Sequence, residues 1–366
     1  MTRSPKTLCG ALALALLAAG CQGSIGPYAI RHAVPGFNET IVSEMNQQLL
    51  LNLVRLRYRD NPLFLEIGTI TATQTLSGAA GISADASVGG VATSNLVHPT
   101  LGMTYSESPT VMFTPLQGEG FFRRMMSPLP PVAVLLFAAS GWSIARVMAL
   151  AIDRINDVGN APSAAGPTPA EAPQFEEFHE LVNTLRALQV KHALTIGVEE
   201  ANKTTELVLE LAPSPAAAAE LALVRRVLHL RADQTRYVFT GNVLDRDESE
   251  GYVAVRMRSL LSVLFYLSQG VETPDADARS GLVTVTKRPD GAPFDWQALF
   301  KGWFRVRTAD ADPSHAYAKV RHRGHWFYID DRDLETKSTF MLLTELFNLQ
   351  AGQASSAGPQ LTLPLR

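Results

Sequence analysis

The chain has 366 residues, of which 46% are apolar, and 32 basic against 35 acidic side chains, a formal charge of −3. That length exceeds what one hydrophobic core usually serves, so two domains are expected, and the apolar content excludes wholesale disorder. The mildly acidic balance speaks against nucleic acid or an anionic membrane surface as a partner.

At the N-terminus, Arg3 and Lys6 precede an apolar run from Leu8 to Leu17, which leads into Ala18-Ala19-Gly20-Cys21. A positive segment, a short apolar segment and small residues at a cleavage site are the pattern of a secretory signal. This one resembles a bacterial lipoprotein signal, with Ala18-Ala19-Gly20-Cys21 as the lipobox and Ala18 where Leu is more usual. The resemblance covers the first 21 residues. It implies cleavage before Cys21, acylation of Cys21 (palmitate included), and a body held at a membrane in the periplasm. Gln22 in place of Asp favours the outer membrane over the inner. Loss of residues 1–20 removes Arg3 and Lys6 and no acid, so the charge moves to −5. Cys9 leaves with the signal and Cys21 carries lipid, so the body has no thiol for a disulfide, a metal or a nucleophile. No later apolar run reaches the roughly 20 residues of a spanning helix; the nearest, Val132 to Ala145, is broken by Gly141.

Residues 21–37, with Gly23, Gly26, Pro27, Pro35 and Gly36, read as a lipid-anchored tether. A helix is expected over Glu39 to Asp60, capped by Asn38, with Ile41, Met45, Leu49, Leu53 and Leu56 as its apolar stripe and Pro62 as its stop. From Thr69 to Val88 the chain then alternates. Thr and Ser dominate the odd positions, and small apolar residues such as Ala72, Ala80 and Ala84 the even ones. Period two means strand: either one long strand, or two joined by an odd-length loop near Ser77 to Gly81. Gly89-Gly90 marks a turn, and Leu101-Met103-Tyr105 and Val111-Phe113 alternate again around Ser108-Pro109. Helices are expected over Gly118 to Met126, Pro131 to Ser140 and Trp142 to Asp157, with Gly141 as a C-cap. Pro162, Pro167, Pro169 and Pro173 among Gly, Ala and Ser make 159–173 read as an exposed linker.

The second half reads as mixed. Helices are expected at Phe175 to Val190, from Ser214-Pro215 onward with Ala217, Leu221, Val224 and Leu228 buried, at Arg258 to Ser268, and at Thr336 to Gln350. Strands are expected at Ala193 to Val198, Thr205 to Leu211, Arg236 to Thr240, Leu282 to Thr286, Phe304 to Val306, Ala316 to Arg321 and His325 to Ile329. With Arg323-Gly324 as turn, His322 faces His325, Val320 faces Phe327 and Ala318 faces Ile329, while Lys319 and Arg321 face Tyr328 and Trp326. The fold class is therefore α+β. Two mixed helix/strand domains, 38–158 and 174–366, carry antiparallel hairpins packed with helices.

Three constellations bear on chemistry. His322 and His325 lie across a turn from Asp330 and Asp331 and are weak metal candidates; the Asp pair equally suits a helix cap. Asp245, Asp247, Glu248 and Glu250 lack the spacing of a calcium loop and read as a solvated turn. Ser140-Gly141-Trp142-Ser143 has the outline of a helix-turn-helix corner, but export removes DNA from reach. The chain contains no nucleophile elbow, zinc-protease motif, phosphate loop or dinucleotide fingerprint. No catalytic residue and no cofactor are assigned.

Arg258-Ser259-Leu260-Leu261, Leu267-Ser268-Gln269-Gly270-Val271 and Trp326-Phe327-Tyr328-Ile329-Asp330-Asp331 resemble stretches of uncharacterised proteobacterial lipoproteins. That resemblance implies no activity. The expected role is a lipid-anchored periplasmic scaffold or partner-binding protein of an envelope assembly. Two alternatives stay open: an oligomeric outer-membrane channel or secretion component using residues 69–115, and a periplasmic hydrolase without a recognisable motif. Expected partners are the membrane, through lipid on Cys21, and envelope proteins, with a homo-oligomer open and nucleic acid excluded. For 69–115, small even-face residues suit a hairpin packed on the first domain's helices better than lipid contact.

Overall fold

The computed structural model describes residues 25–84, 97–201, 204–241, 251–351 and 361–364. The fold is mixed α+β with antiparallel hairpin sheets. The chain divides into two units, one comprising everything up to Pro62 together with Pro128–Leu346, the other Leu63–Ser127 and Phe347–Arg366. This division replaces the expected cut at 159–173. Among the described residues no helix is long and apolar enough to cross a membrane.

Helix α1 runs Ile25–Arg57, so it begins well before Glu39 and takes in much of the expected tether. Pro27 falls in the first turn, where a missing N–H costs nothing, and Pro35 is accommodated inside. Leu49, Leu53 and Leu56 of the stripe are buried, but Met45 is exposed. The stop precedes Pro62. Arg59 takes a left-handed φ of 60°, and the N–H groups of Arg59 and Asp60 return to the carbonyls of Leu56 and Arg55. That is a Schellman closure with an arginine where glycine is usual.

The smaller unit is built on a long ribbon. Strand β1, Leu65–Ala84, pairs antiparallel with β2, Val97–Pro115, in register from Leu65 opposite Pro115 to Ala84 opposite Val97, with one irregularity between Ile67 and Ile70. The one-long-strand alternative is the one observed; residues 85–88 of the alternation and Gly89-Gly90 lie outside the described residues. At about 3.3 Å per residue a 20-residue strand extends on the order of 65 Å, far beyond the usual strand. Helix α2, Glu119–Met126, buries Phe121 and Met125 in the same unit. There Phe64 meets Phe121 and Phe347 at ring-centroid distances of 5.9 and 5.3 Å. The ribbon thus falls in one unit with α2, one of the helices of the expected first domain, and with residues from Phe347 onward.

In the larger unit, α3 (Pro131–Ala139) and α4 (Ile144–Ala151) meet at Gly141, φ 99°. The expected helix Trp142 to Asp157 ends early, because Ile152–Ile155 becomes strand β3. It pairs with β4, Val158–Gly159. Helix α5 is Glu176–Val190, followed by β5 (Leu194–Ala201), β6 (Thr204–Leu211), α6 (Ala218–Val227) and β7 (Arg236–Thr240). Strand β8, Tyr252–Met257, was not anticipated. It joins the halves of a six-stranded sheet of order β4-β3-β8-β7-β6-β5, pairing parallel with β7 and antiparallel with β3. Helix α7, Leu260–Ser268, starts at Ser259, whose hydroxyl accepts the Ser262 N–H. Short helices α8 (Asp275–Arg279) and α9 (Trp296–Phe300) follow.

Expected strands at Leu282 to Thr286 and Phe304 to Val306 do not form; only isolated bridges occur nearby, at Lys287 and Val306. Instead β9 is Arg307–Ala309, beside the hairpin β10 (Ala316–His322) and β11 (His325–Asp330). The hairpin register agrees with expectation at every named pair. Arg323 and Gly324, at φ 49° and 90°, supply the two left-handed positions that a tight hairpin turn needs. The closing helix α10 is Leu334–Ala351.

Segment 159–173 is not an exposed linker. Asn160, Ala161, Ala164 and Thr168 are buried, and Pro162–Ala165 forms a turn of 3-10 helix. Asn160 Nδ2 donates to the carbonyls of Ala149 and Ile152 at 2.8 and 2.7 Å, and Thr286 Oγ1 donates to Pro169 O at 2.7 Å. Small residues and prolines let this backbone lie close against its neighbours, which composition alone does not distinguish from solvation.

Candidate functional site

The metal candidates do not converge. His322 and His325 are cross-strand neighbours, but each faces its own carboxylate: His322 Nε2 lies 3.1 Å from Asp60 Oδ2, and His325 Nδ1 lies 2.9 Å from Asp310 Oδ1. Asp330 accepts the Arg332 N–H at 3.0 Å, and Asp331 accepts from Lys337 Nζ at 2.7 Å. Among the described residues no group of three or more His, Cys, Asp and Glu side chains is placed to hold a metal. Cys21 and the cluster Asp245, Asp247, Glu248 and Glu250 lie outside the described residues.

The structure adds a polar knot that spacing could not show. Asp60 also accepts from Arg323, whose Nη2 lies 3.1 and 3.2 Å from its two carboxylate oxygens. Tyr58 donates to the buried Asp277 carboxylate at 2.5 Å; burial, and after it this bond, raises the phenol well above its ordinary range. Arg57 donates to Thr168 at 2.9 Å, and burial lowers its pKa to about 10. These groups hold the end of α1 against the β10–β11 turn and the 159–173 segment. Most of their polar atoms are engaged in doing so, although Arg57 Nε is buried without a partner among the described residues.

The corner Ser140-Gly141-Trp142-Ser143 is held by Gln189 of α5. Its amide donates to Ala138 O and Trp142 O at 3.1 and 3.0 Å, and its oxygen accepts the Ile144 N–H at 3.0 Å. Beside it is a cleft of about 230 Å³ lined by Ser143, Arg146, His179, Arg186, Lys301 and Trp303. The cleft is basic, with Arg146, Arg186 and Lys301 against the single carboxylate of Glu335 in its lining. Arg146 pairs with Glu335, and Arg186 donates to Gln189 Oε1 at 2.6 Å. Burial keeps the His179 imidazole below its ordinary pKa, hence neutral near pH 7.

The ribbon offers a different kind of site. Among the described residues β1 pairs with β2 alone, so from Ile70 to Ala84 its other edge meets no described strand. The outer edge of β2 is covered by β12 (Leu361–Pro364) at Thr110 to Phe113 and by nothing described from Val97 to Pro109. Natural sheets blunt such edges with lysine, proline or short length. β1 has no lysine, arginine or proline, and its one charge is Glu66; β2 adds Glu107 and His98. A long, unguarded edge is a template for strand addition.

No family model, curated protein or solved structure matches this chain.

Proposed function

We propose that this chain is a lipid-anchored, partner-binding protein of the bacterial outer-membrane envelope, tethered through acylated Cys21 with its body in the periplasm, and that partners join it by strand addition along the β1–β2 ribbon. The observation that supports this reading is the unguarded β1 edge. The lipobox supports the location. One acyl chain anchors only reversibly, so firm attachment would come from several chains on the same terminus.

Two measurements test it together. Wild-type protein should take up labelled palmitate and sediment with outer membranes, and Cys21→Ser should do neither. A photo-crosslinking residue at Thr75 or Ser77 should give discrete high-mass adducts in cells, whereas one at the exposed helix position Val190 should not. Persistent acylation of Cys21→Ser, or the same adducts at Val190 as on the ribbon, would refute the proposal.

A further inference from the structure

We infer that the strand-addition partner is a second copy of this chain, and that several copies pair ribbon to ribbon into a closed β-barrel whose distal half crosses the outer membrane as a channel. This rests on the reading of the ribbon as the assembly surface and goes beyond it by naming the occupant and the activity.

The register carries the argument. Directly opposed residues of an antiparallel pair share a face. From Ile70 onward the odd residues of β1 stand opposite the even residues of β2: Thr71 with Thr110, Thr73 with Ser108, Thr75 with Ser106, Ser77 with Thr104, Ala79 with Gly102, Gly81 with Thr100, and Ser83 with His98. One face of the ribbon is therefore a ladder of hydroxyl-bearing and small residues. On the other face stand Leu76 with Tyr105, Gly78 with Met103, Ala80 with Leu101, Ile82 with Pro99, and Ala84 with Val97. The small even residues of β1 are thus supplemented by larger apolar partners from β2, which the alternation of one strand alone does not reveal.

The apolar face has a boundary. Gln74 opposite Glu107 interrupts it, and Tyr105 comes next on the distal side. From there to Ala84 the span matches the about 9–11 residues that a tilted strand needs to cross a bilayer. An amide–carboxylate pair followed by an aromatic residue is the sequence of groups expected at a membrane–water interface. The hydroxyl face would then line a water-filled lumen. Residues proximal to Gln74 would stand outside the membrane, where β12 already covers the β2 edge.

Edge complementarity points to a second copy. Each chain brings one open β1 edge and one open distal β2 edge, so copies can join head to tail, and a head-to-tail contact that closes forms a ring. Each copy adds two strands, and closure removes every edge. Pro99 and Pro109 take two donors out of β2, which leaves Thr100 to Ser108 as the stretch of that edge best able to pair.

The test uses the full-length lipidated protein in detergent and then in liposomes. Its only cysteines are Cys9 and Cys21, so a cysteine introduced into the ribbon of the processed, acylated protein is the sole free thiol. Mixed single-cysteine variants, Thr75→Cys with Thr100→Cys, Thr104→Cys or Ser106→Cys, should yield inter-chain disulfides for at least one combination. The wild type should run as SDS-resistant multimers and give stepwise conductance in planar bilayers. Fluorophores at Ala80→Cys and Ala84→Cys should be quenched by brominated lipid, those at Ser77→Cys and Ala79→Cys by aqueous iodide, and one at Ala72→Cys should be insensitive to brominated lipid. Ala80→Arg should cut channel events more than tenfold, whereas Ser77→Arg should keep conductance and shift it toward anions. Monomers without conductance, or quenching that does not alternate, would overturn the barrel. Adducts at the β1 edge only with other proteins would overturn it while leaving the partner-binding reading intact; no edge adducts of any kind would remove both.

Discussion

The guanidinium of Arg258 lies over the ring of Tyr266, 3.8 Å from its centroid, with both side chains fully buried. Among the described residues no carboxylate hydrogen-bonds this cation. Nη1 donates to Ala149 O and Leu150 O at 2.9 and 3.3 Å, and Nη2 donates to Asn160 O. Three carbonyls and a π-face thus replace water, joining the end of α4, the 159–173 segment and the start of α7. Burial lowers the Arg258 pKa and pushes the Tyr266 phenol up to about 12.

Arg258→Met is expected to destabilise the protein by about 3–5 kcal/mol, because it leaves those carbonyls buried without donors. Arg258→Lys should recover only part, since an ammonium cannot reach all three from one stem. Urea denaturation followed by far-UV circular dichroism measures both; a loss below about 1 kcal/mol for Met would show that the bonds contribute little.

Stability should fall as pH drops below the ordinary histidine value of 6.5. His179 and His322 both have folded-state pKa values lowered, chiefly by burial; Asp60 pulls His322 the other way, and Arg323 and Arg55 reinforce the lowering. A depressed folded pKa means that the unfolded chain binds protons first as pH falls. The contribution is complete above 6.5 and is lost as pH falls through it toward the folded value. His179→Asn and His322→Asn should each reduce the difference between denaturation midpoints at about pH 7.5 and about pH 5. Unchanged differences in both variants would contradict the assignment.

Gly270 has no room for a side chain. A Cβ there would fall 2.7 Å from Phe304 Cδ1, and Phe304 is itself buried. Gly270→Ala should cost about 1–3 kcal/mol through overpacking. Combining it with Phe304→Leu should relieve the clash, so that the double variant loses less than the sum of the two single losses. Strict additivity in a double-mutant cycle would rule out the steric cause.

Limited proteolysis should not cut first between residues 159 and 173. Composition alone predicts a cut there. The buried Asn160, Ala164 and Thr168, and the bonds from Arg57 and Thr286, predict protection. Mass spectrometry of early fragments decides between them, and termini inside 159–173 would restore the linker.

Local patterns were legible wherever the chain's own period set the structure. The 316–329 hairpin was readable to the residue, because alternating apolar residues and Arg323-Gly324 allow one register. The buried face of α6, from Ala217 to Leu228, was readable from its spacing. Strands β3 and β8 were not. Ile152 and Ile155 continue the helical spacing of α4, and the helix stops because the Arg258 N–H takes the Ala151 carbonyl at 2.7 Å. A contact across that sequence distance leaves no local mark. For the same reason the sequence left the two histidines as weak metal candidates, whereas folding gives each a separate carboxylate, Asp60 and Asp310.

What the sequence determined by itself was the α+β class and the alternation of residues 69–88, because each depends on neighbours along the chain. Only the tertiary structure decided which strand meets β1, that its hydroxyl-rich face gains a matching row from β2, and that Asn160, Ala161, Ala164 and Thr168 of the proline-rich segment are buried. Those outcomes depend on register and burial, which arise between segments distant in sequence and are set by which backbone groups and apolar surfaces are left without a partner.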